Sequence, residues 1–576
     1  MIGINYKFML LFGTIYIFFI GCKKVVDAPK DISQYPQVMC APITTDKDWY
    51  TKENKAPLFE RLEAVHFPVT TENELTQKYF NQGLILAYAF NHAEAARSFY
   101  YASRLDSTCA MAYWGFAYVL GPNYNGGMED DNYERAFDAI QKASQLSANC
   151  TAKEKALINA MSKRYSEKPL KDRMELDIAY ANAMSKVFFD FPNDADVGAL
   201  YAESQMNLHP WDLWDKTGKI RTWTPEIIST LEKVIAFSPR HPGAHHFYIH
   251  AIEMSFEPQK GIRSAQLFDD GLVSGAGHLL HMPSHIYIRT GDYHKGSLSN
   301  IKAIEVDSGY ATACNAQGVY PLAYFPHNYH FLAATATLEG NSKWAIYASN
   351  KVSAHSNPQL MKEPGWGTIQ HYYCIPYYVN VKFGKWEEIL KMNNPDTTLH
   401  YPQAIRNYAR GMAFIGLKDL KSAKAELISL ENYAKDQSLK ELTIWDINSV
   451  DVLVQIAFKV LKAEILASES DFNTSIKLLK EAVEIEDGLN YNEPPDWFFS
   501  IRHHLGSVQI AAGKYKDAIK TYEDDLKRLP KNGWAIHGLK LAYEKLMDNK
   551  KSKEAEQLLS SVWSTADVEL YGSKVK

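Results

Sequence analysis

The chain repeats itself, and the repeating unit is a pair of helices. The clearest copy reads Leu505-Gly506, Ala512-Gly513-Lys514-Tyr515, Ala518-Ile519, Tyr522, Leu526 and Pro530. Small residues fall where two helices would cross, a Gly and an aromatic mark the turn, and Pro closes the second helix. A further unit spans Gly533 to Trp563, and the junction of two more lies between Ala93 and Leu120, with Ala95, Phe99, Ala102, Leu105-Asp106 and Trp114-Gly115. Weaker copies are placed by their turns at Gly291-Asp292-Tyr293, Gly340, Gly384-Lys385-Trp386 and Ser470-Asp471-Phe472. No single helix pair can bury its apolar face; only stacked neighbours give a continuous core. The 576 residues are therefore read as one extended array and not as several globules.

The pattern resembles the tetratricopeptide repeat over most of residues 72–565, with intervals running from about the ideal 34 residues to over 40. The resemblance implies an all-α fold, a right-handed α-solenoid of tetratricopeptide-like helix hairpins. The first helix of each pair would line a concave surface where such proteins bind a partner. On this reading residues 1–21 are a signal peptide, 22–70 a tether with Pro29, Pro36, Pro42, Pro57 and Pro68, and 71–395 an array with a His-rich groove. Residues 396–576 form a second array, capped near Ala555–Trp563. Composition agrees with a folded chain: 46% hydrophobic and 22% charged. The net charge of −5 argues against a dedicated nucleic-acid binder.

The first residues set a compartment. An apolar run from Phe8 to Ile20 is too short for a membrane-spanning helix and reads as the core of a signal peptide. The end, Phe19-Ile20-Gly21-Cys22, resembles a bacterial lipobox, with Phe in place of the usual Leu. It implies acylation of Cys22 and a chain anchored by lipid to a membrane of the cell envelope. Five cysteines remain, an odd number, so at least one thiol stays free or pairs between chains.

Histidine is the unusual component. Ten of 19 fall between His241 and His330. Counting back from Gly291 puts His278, His281 and His285 at the second, fifth and ninth positions of a first helix. Gly340 does the same for His327 and His330 at positions two and five, and Gly384 for His371 and Cys374. Gly261 sets His246, His250 and Glu253 at positions five, nine and twelve. These positions look into the groove in repeats of this kind. The pairs His246/His250 and His281/His285 are four apart, so each shares a helix face. Imidazoles at that spacing seize transition metals, and neutral imidazole suits Zn, Cu, Ni and Fe, of which Zn or Cu is the ion expected. The expected site is His246, His250 and Glu253 facing His281 and His285, with His278, His327 and His330 as further ligands or supports. The alternative is that these rings only pack, hydrogen-bond or line a peptide groove. Pro283 must start or kink the helix between His281 and His285, and Pro326 puts His327 at a helix start. His245, beside His246, leaves the ligand uncertain by one residue.

Other features are read more plainly. His209, His241, His294, His355 and His400 lack register and are taken as loop or surface residues. Trp211, Trp214 and Trp223 crowd a loop that either packs on itself or offers a sugar-stacking platform. Gly121–Gly127 is a long turn and not a phosphate loop. Glu203 and Asn207 are expected at the surface. The sequence thus supports an envelope-anchored repeat protein that binds a protein, peptide or small ligand in its groove, with a His/Glu metal site. Alternatives are a metal-dependent hydrolase or oxidoreductase using Glu253 as a base, and a glycan-binding outer-membrane lipoprotein.

Overall fold

The structure, a computed structural model, describes residues 47–52, 54–314 and 325–575. Cys22, the signal segment and the tether as far as residue 46 lie outside them, as do the side chains of residues 310–314. Among the described residues no helix is long and apolar enough to cross a membrane. After a short α1 (Lys47–Thr51) the chain is a succession of antiparallel helix hairpins. These are α2/α3 (Glu74–Tyr88, His92–Leu105), α4/α5 (Ala110–Leu120, Asn132–Leu146), α6/α7 (Ala152–Met161, Met174–Asp190) and α8/α9 (Ala195–Met206, Thr224–Phe237). The middle of the chain holds α10/α11 (Pro242–Ile252, Ile262–Asp269), then α12 (Gly277–His281) and α13 (Pro283–Thr290) acting together as partner to α14 (Tyr293–Cys314). Next come α15/α16 (Phe325–Leu338, Ser342–Ala354) and α17/α18 (Gly367–Lys382, Trp386–Lys391). The last are α19/α20 (His400–Gly416, Leu420–Ala434), α21/α22 (Val450–Ser468, Phe472–Asp487), α23/α24 (Arg502–Ala511, Tyr515–Arg528) and α25/α26 (Gly533–Lys545, Asn549–Val562). A two-residue β-hairpin, Thr443–Ile444 with Asn448–Ser449, precedes α21.

The fold is thus an all-α array of helical hairpins, and local chemistry explains several of the turns. The residue after the first helix adopts left-handed backbone: Gly291 at φ 77°, Gly340 at 81°, Gly384 at 64°, Gly513 at 72° and Ser470 at 66°. Such a conformation closes a helix and favours glycine. The next residue then caps the second helix. Asn341, Asp471 and Asp548 accept from the backbone N–H three residues on, at 3.1 Å in each case. Between hairpins a large ring wedges between two glycines. Tyr522 fills the space beside Gly506 and Gly538, where an added Cβ would come within 2.3 Å of it at either site.

Two features go beyond a free ribbon with a solvent-facing end. Residues 54–70 are packed against the first repeats, with Phe67 fully buried. The final hairpins also return to the middle of the array. Tyr293 donates to the Pro530 carbonyl (2.7 Å), Trp534 Nε1 donates to the Thr337 carbonyl (2.9 Å), and the Asp567 carboxylate caps α16 by accepting from Ser342 N at 2.7 Å. Trp563, at the end of the expected terminal cap, lies against Gly340, Gly533 and Trp534. Cys109, Cys150 and Cys374 are buried free thiols.

Candidate metal centre

The histidine-bearing first helices do bring their imidazoles together, but not on an open groove. His246, Glu253 and His281 are fully buried, and His250, His278 and His285 nearly so. The inner face is covered at these repeats by the chain itself. Phe90, at the α2–α3 turn, inserts between His246 (ring centroids 4.6 Å), His278 (5.6 Å) and His250 (5.8 Å). Tyr124, from the 121–127 turn, sits 5.4 Å from His250 and stacks on Trp211. Phe331 of α15 touches His281, His285 and His327 at 4.6–4.9 Å. Glu493, from the segment between α22 and α23, comes within 3.3 Å of His285 Nδ1.

Three of these enclosing aromatics have left-handed backbone that bulky side chains rarely adopt: Phe90 at φ 54°, Trp211 at 57° and Trp445 at 53°, the last facing His327. Such conformations cost roughly 1–3 kcal/mol each and persist only where the surroundings impose them.

The helix breaks at Met282-Pro283, as the proline requires. The break leaves the stripe intact: the His281 and His285 rings are 4.8 Å apart. Three sets of donors lie within 4.8 Å of one another: His246, His250 and His278; His281, His285 and His327; and His250, Glu253 and His285. These clusters are able to hold a metal ion. His330 is not among them. Three residues beyond His327, it is rotated by about 60° from that stripe and stacks on Phe498 at 5.2 Å, near His371. Cys374 is buried in the apolar core, and its thiol is pushed up by burial. His371 Nδ1 meets the Tyr401 hydroxyl at 2.8 Å.

Hydrogen bonding fixes which nitrogens face inward. His246 Nδ1 lies 2.6 Å from the Tyr88 carbonyl, which can only accept, so the proton is on Nδ1. His281 Nδ1 likewise donates to Asn300 Oδ1 (2.7 Å), because the Asn300 amide donates to Gly296 O. His250 Nδ1 and His285 Nδ1 donate to the two oxygens of Glu253, at 2.8 and 2.5 Å. Each Nε2 is then turned to the interior. Those of His246 and His250 meet no hydrogen-bond partner, and His281 Nε2 meets only His285 Nε2 at 2.9 Å. A metal-binding histidine shows this arrangement, with the outer nitrogen tied to a carbonyl or carboxylate and the inner lone pair directed at the ion. Glu253, expected as a ligand, belongs to one of the three donor sets, and its carboxylate also accepts from two imidazoles and braces them.

The electrostatics agree. Burial, then the neighbouring His250, holds His246 well below the ordinary histidine range. Burial and other imidazoles do the same for His278, His281 and His327. These rings are neutral, the form that binds metal. His285 is the exception. Burial opposes its charge, but Glu253 and Glu493 together outweigh burial and raise it. Its imidazolium donates from both nitrogens, and the Nε2 proton stands where a cation would.

Asn300, Phe90, Tyr124, Phe331 and Glu493 were not singled out from sequence; Phe331 alone carries a spacing signal, four residues after His327 on α15. The remaining expectations fall out variously. The Trp loop packs inward: Trp214 Nε1 donates to the Ala251 carbonyl, Trp223 Nε1 to the Asp212 carbonyl, and His209 stacks on Trp223. Glu203, expected at the surface, is buried and accepts from Asn207. His241, also taken as a surface residue, is a buried cap of α10 that accepts from Ala244 N at 3.0 Å. His245 serves structure, bonded to Ser264 and the Pro239 carbonyl.

No family model and no curated protein matches the chain. Similar solved structures include a human IFIT1 dimer with m7Gppp-AAAA, at 10% identity and TM-score 0.31, covering 86% of this chain and 90% of that one. Another is the APC/C hetero-tetramer Cut9-Hcn1, at 14% identity and TM-score 0.28, covering 87% and 79%.

Proposed function

We propose that this is an envelope-anchored helical-repeat metalloprotein whose working part is the enclosed imidazole chamber. The observation that carries the reading is that six imidazoles from three successive hairpins bring their donor atoms within reach of shared ions. A buried polar atom without a partner costs about 1–3 kcal/mol, and several in one chamber make structural sense once a cation receives their lone pairs. An imidazole set free of thiolate selects Zn or Cu among common ions. What enters so confined a space is small, an ion or a molecule of few atoms. The anchor rests on the Phe19-Ile20-Gly21-Cys22 sequence and puts the chain in the envelope.

Catalysis is favoured by one feature. Each imidazole triad supplies three protein donors, the number found in catalytic sites that keep a position open for water or substrate. Elemental analysis of protein purified without a chelator tests the metal reading: at least one Zn or Cu per chain is expected. His246→Ala and His281→Ala should each lose metal while the far-ultraviolet helical signal persists. A metal-free wild-type protein that also fails to bind added Zn or Cu would show the histidines to be packing residues.

A further inference from the structure

The six imidazoles divide into two sets that share no member, His246/His250/His278 and His281/His285/His327. Each set is built the same way. A pair of histidines four apart on the first helix of one hairpin is completed by one histidine from the first helix of the next: α10 with α12, then α12–α13 with α15. The repeat has carried the construction along by one unit. Six imidazoles exceed what one Zn or Cu ion accepts, whereas three with an open fourth position suit each of two ions.

The sets abut. His250 lies 5.6 Å from His285, and His278 lies 5.8 Å from His281, between ring centroids. Glu253 takes one imidazole from each set, Oε1 from His250 and Oε2 from His285, and so fixes one set relative to the other. Donors now up to 4.8 Å apart would close to about 3.4 Å around an ion with bonds of about 2.1 Å, a movement within the reach of side-chain rotation. Phe90 and Tyr124 pack on the rings of the first set and Phe331 on those of the second, which leaves room beside two such ions only for a ligand of few atoms.

We infer that the chamber holds two transition-metal ions, one on each triad, and takes a ligand of two or three atoms, a diatomic molecule or a small inorganic anion, between them. This rests on the metal reading above and adds the number of ions, the residues of each, the positioning role of Glu253 and the class of ligand. The competing arrangement is a single ion on His250, Glu253 and His285, which would take one histidine from each triad.

Metal-free full-length protein titrated with Cu(II), desalted and analysed for copper, should retain two ions per chain. His278→Ala and His327→Ala should each retain one, the double variant none, and Glu253→Gln two. Azide, followed by its charge-transfer absorbance, should bind once per two copper ions in the wild type and at least tenfold more weakly in either single variant. One copper per wild-type chain, loss of all copper in Glu253→Gln with the helical signal intact, or two azides per chain would overturn the inference while the metal reading stands. No copper and no zinc in the wild type would overturn both. If a variant unfolds, the wild-type copper and azide counts still decide.

Discussion

At the scale of single residues, an imidazole whose Nδ1 proton is engaged has only its Nε2 lone pair to offer. Asn300 does this for His281, and its own amide is held by Gly296 O, so the carbonyl end is fixed toward the ring. Asn300→Leu removes that acceptor and frees His281 to place its proton on either nitrogen. The expected result is a 10–100-fold loss of metal affinity in competition against a chelator of known strength, with the thermal midpoint shifted far less than by a core truncation. The histidines of the candidate site were legible in the chain because helical spacing and repeat register are local arithmetic. Asn300, Phe90, Tyr124 and Glu493 were not. Each reaches the site by tertiary packing, from sequence distances at which no period relates it to a histidine. The same limit applied to Glu253, whose place on the stripe was legible although its bonding to two imidazoles was not.

Among the elements, the hairpin turns were the most legible, because a left-handed residue followed by a capping Asn or Asp is a local signature. The segment between α22 and α23 was the least legible. It lacks periodicity, yet it delivers Glu493 to the chamber and Phe498 to His330. Its attachment depends on pH. Burial pushes Asp496, which accepts from Asn448 and Asn492, up to about 7. Burial pushes Glu486 up to about 8 despite the pull of Arg502. In both cases the folded value lies above that of an unfolded carboxyl, so the native state holds the extra proton. The stabilisation is complete below about pH 4 and is lost as pH rises through about 7–8. From these two groups, the thermal midpoint of metal-free protein should fall between pH 5 and 8.5, and Glu486→Gln should flatten that slope. A slope unchanged in the variant would show that Glu486 is ionised throughout.

For the whole molecule, a stacked array was legible from the repeat, but its closure was not, since nothing in a single unit specifies that distant units will meet. Trp563 shows the physics. Its ring fills the space over two glycines, Gly340 and Gly533, separated by almost 200 residues. An open array melts repeat by repeat, with each unit held only by its neighbours; a closed one couples its halves. Trp563→Ala, a partly buried aromatic truncation, should cost about 3 kcal/mol and split one calorimetric transition into two, the last hairpins melting first.

The Phe90, Tyr124 and Glu493 contacts also bear on kinetics. An ion held by His246, His250 and His278, all three buried, would sit behind Phe90 and Tyr124. It departs only when one of the covering segments lifts, so release follows the rate of local opening and is indifferent to how much scavenger waits in the surrounding fluid. Loading obeys the same clock in reverse. The natural moment for the cation to arrive is while the polypeptide is still winding shut, which would make metal supply a condition of maturation.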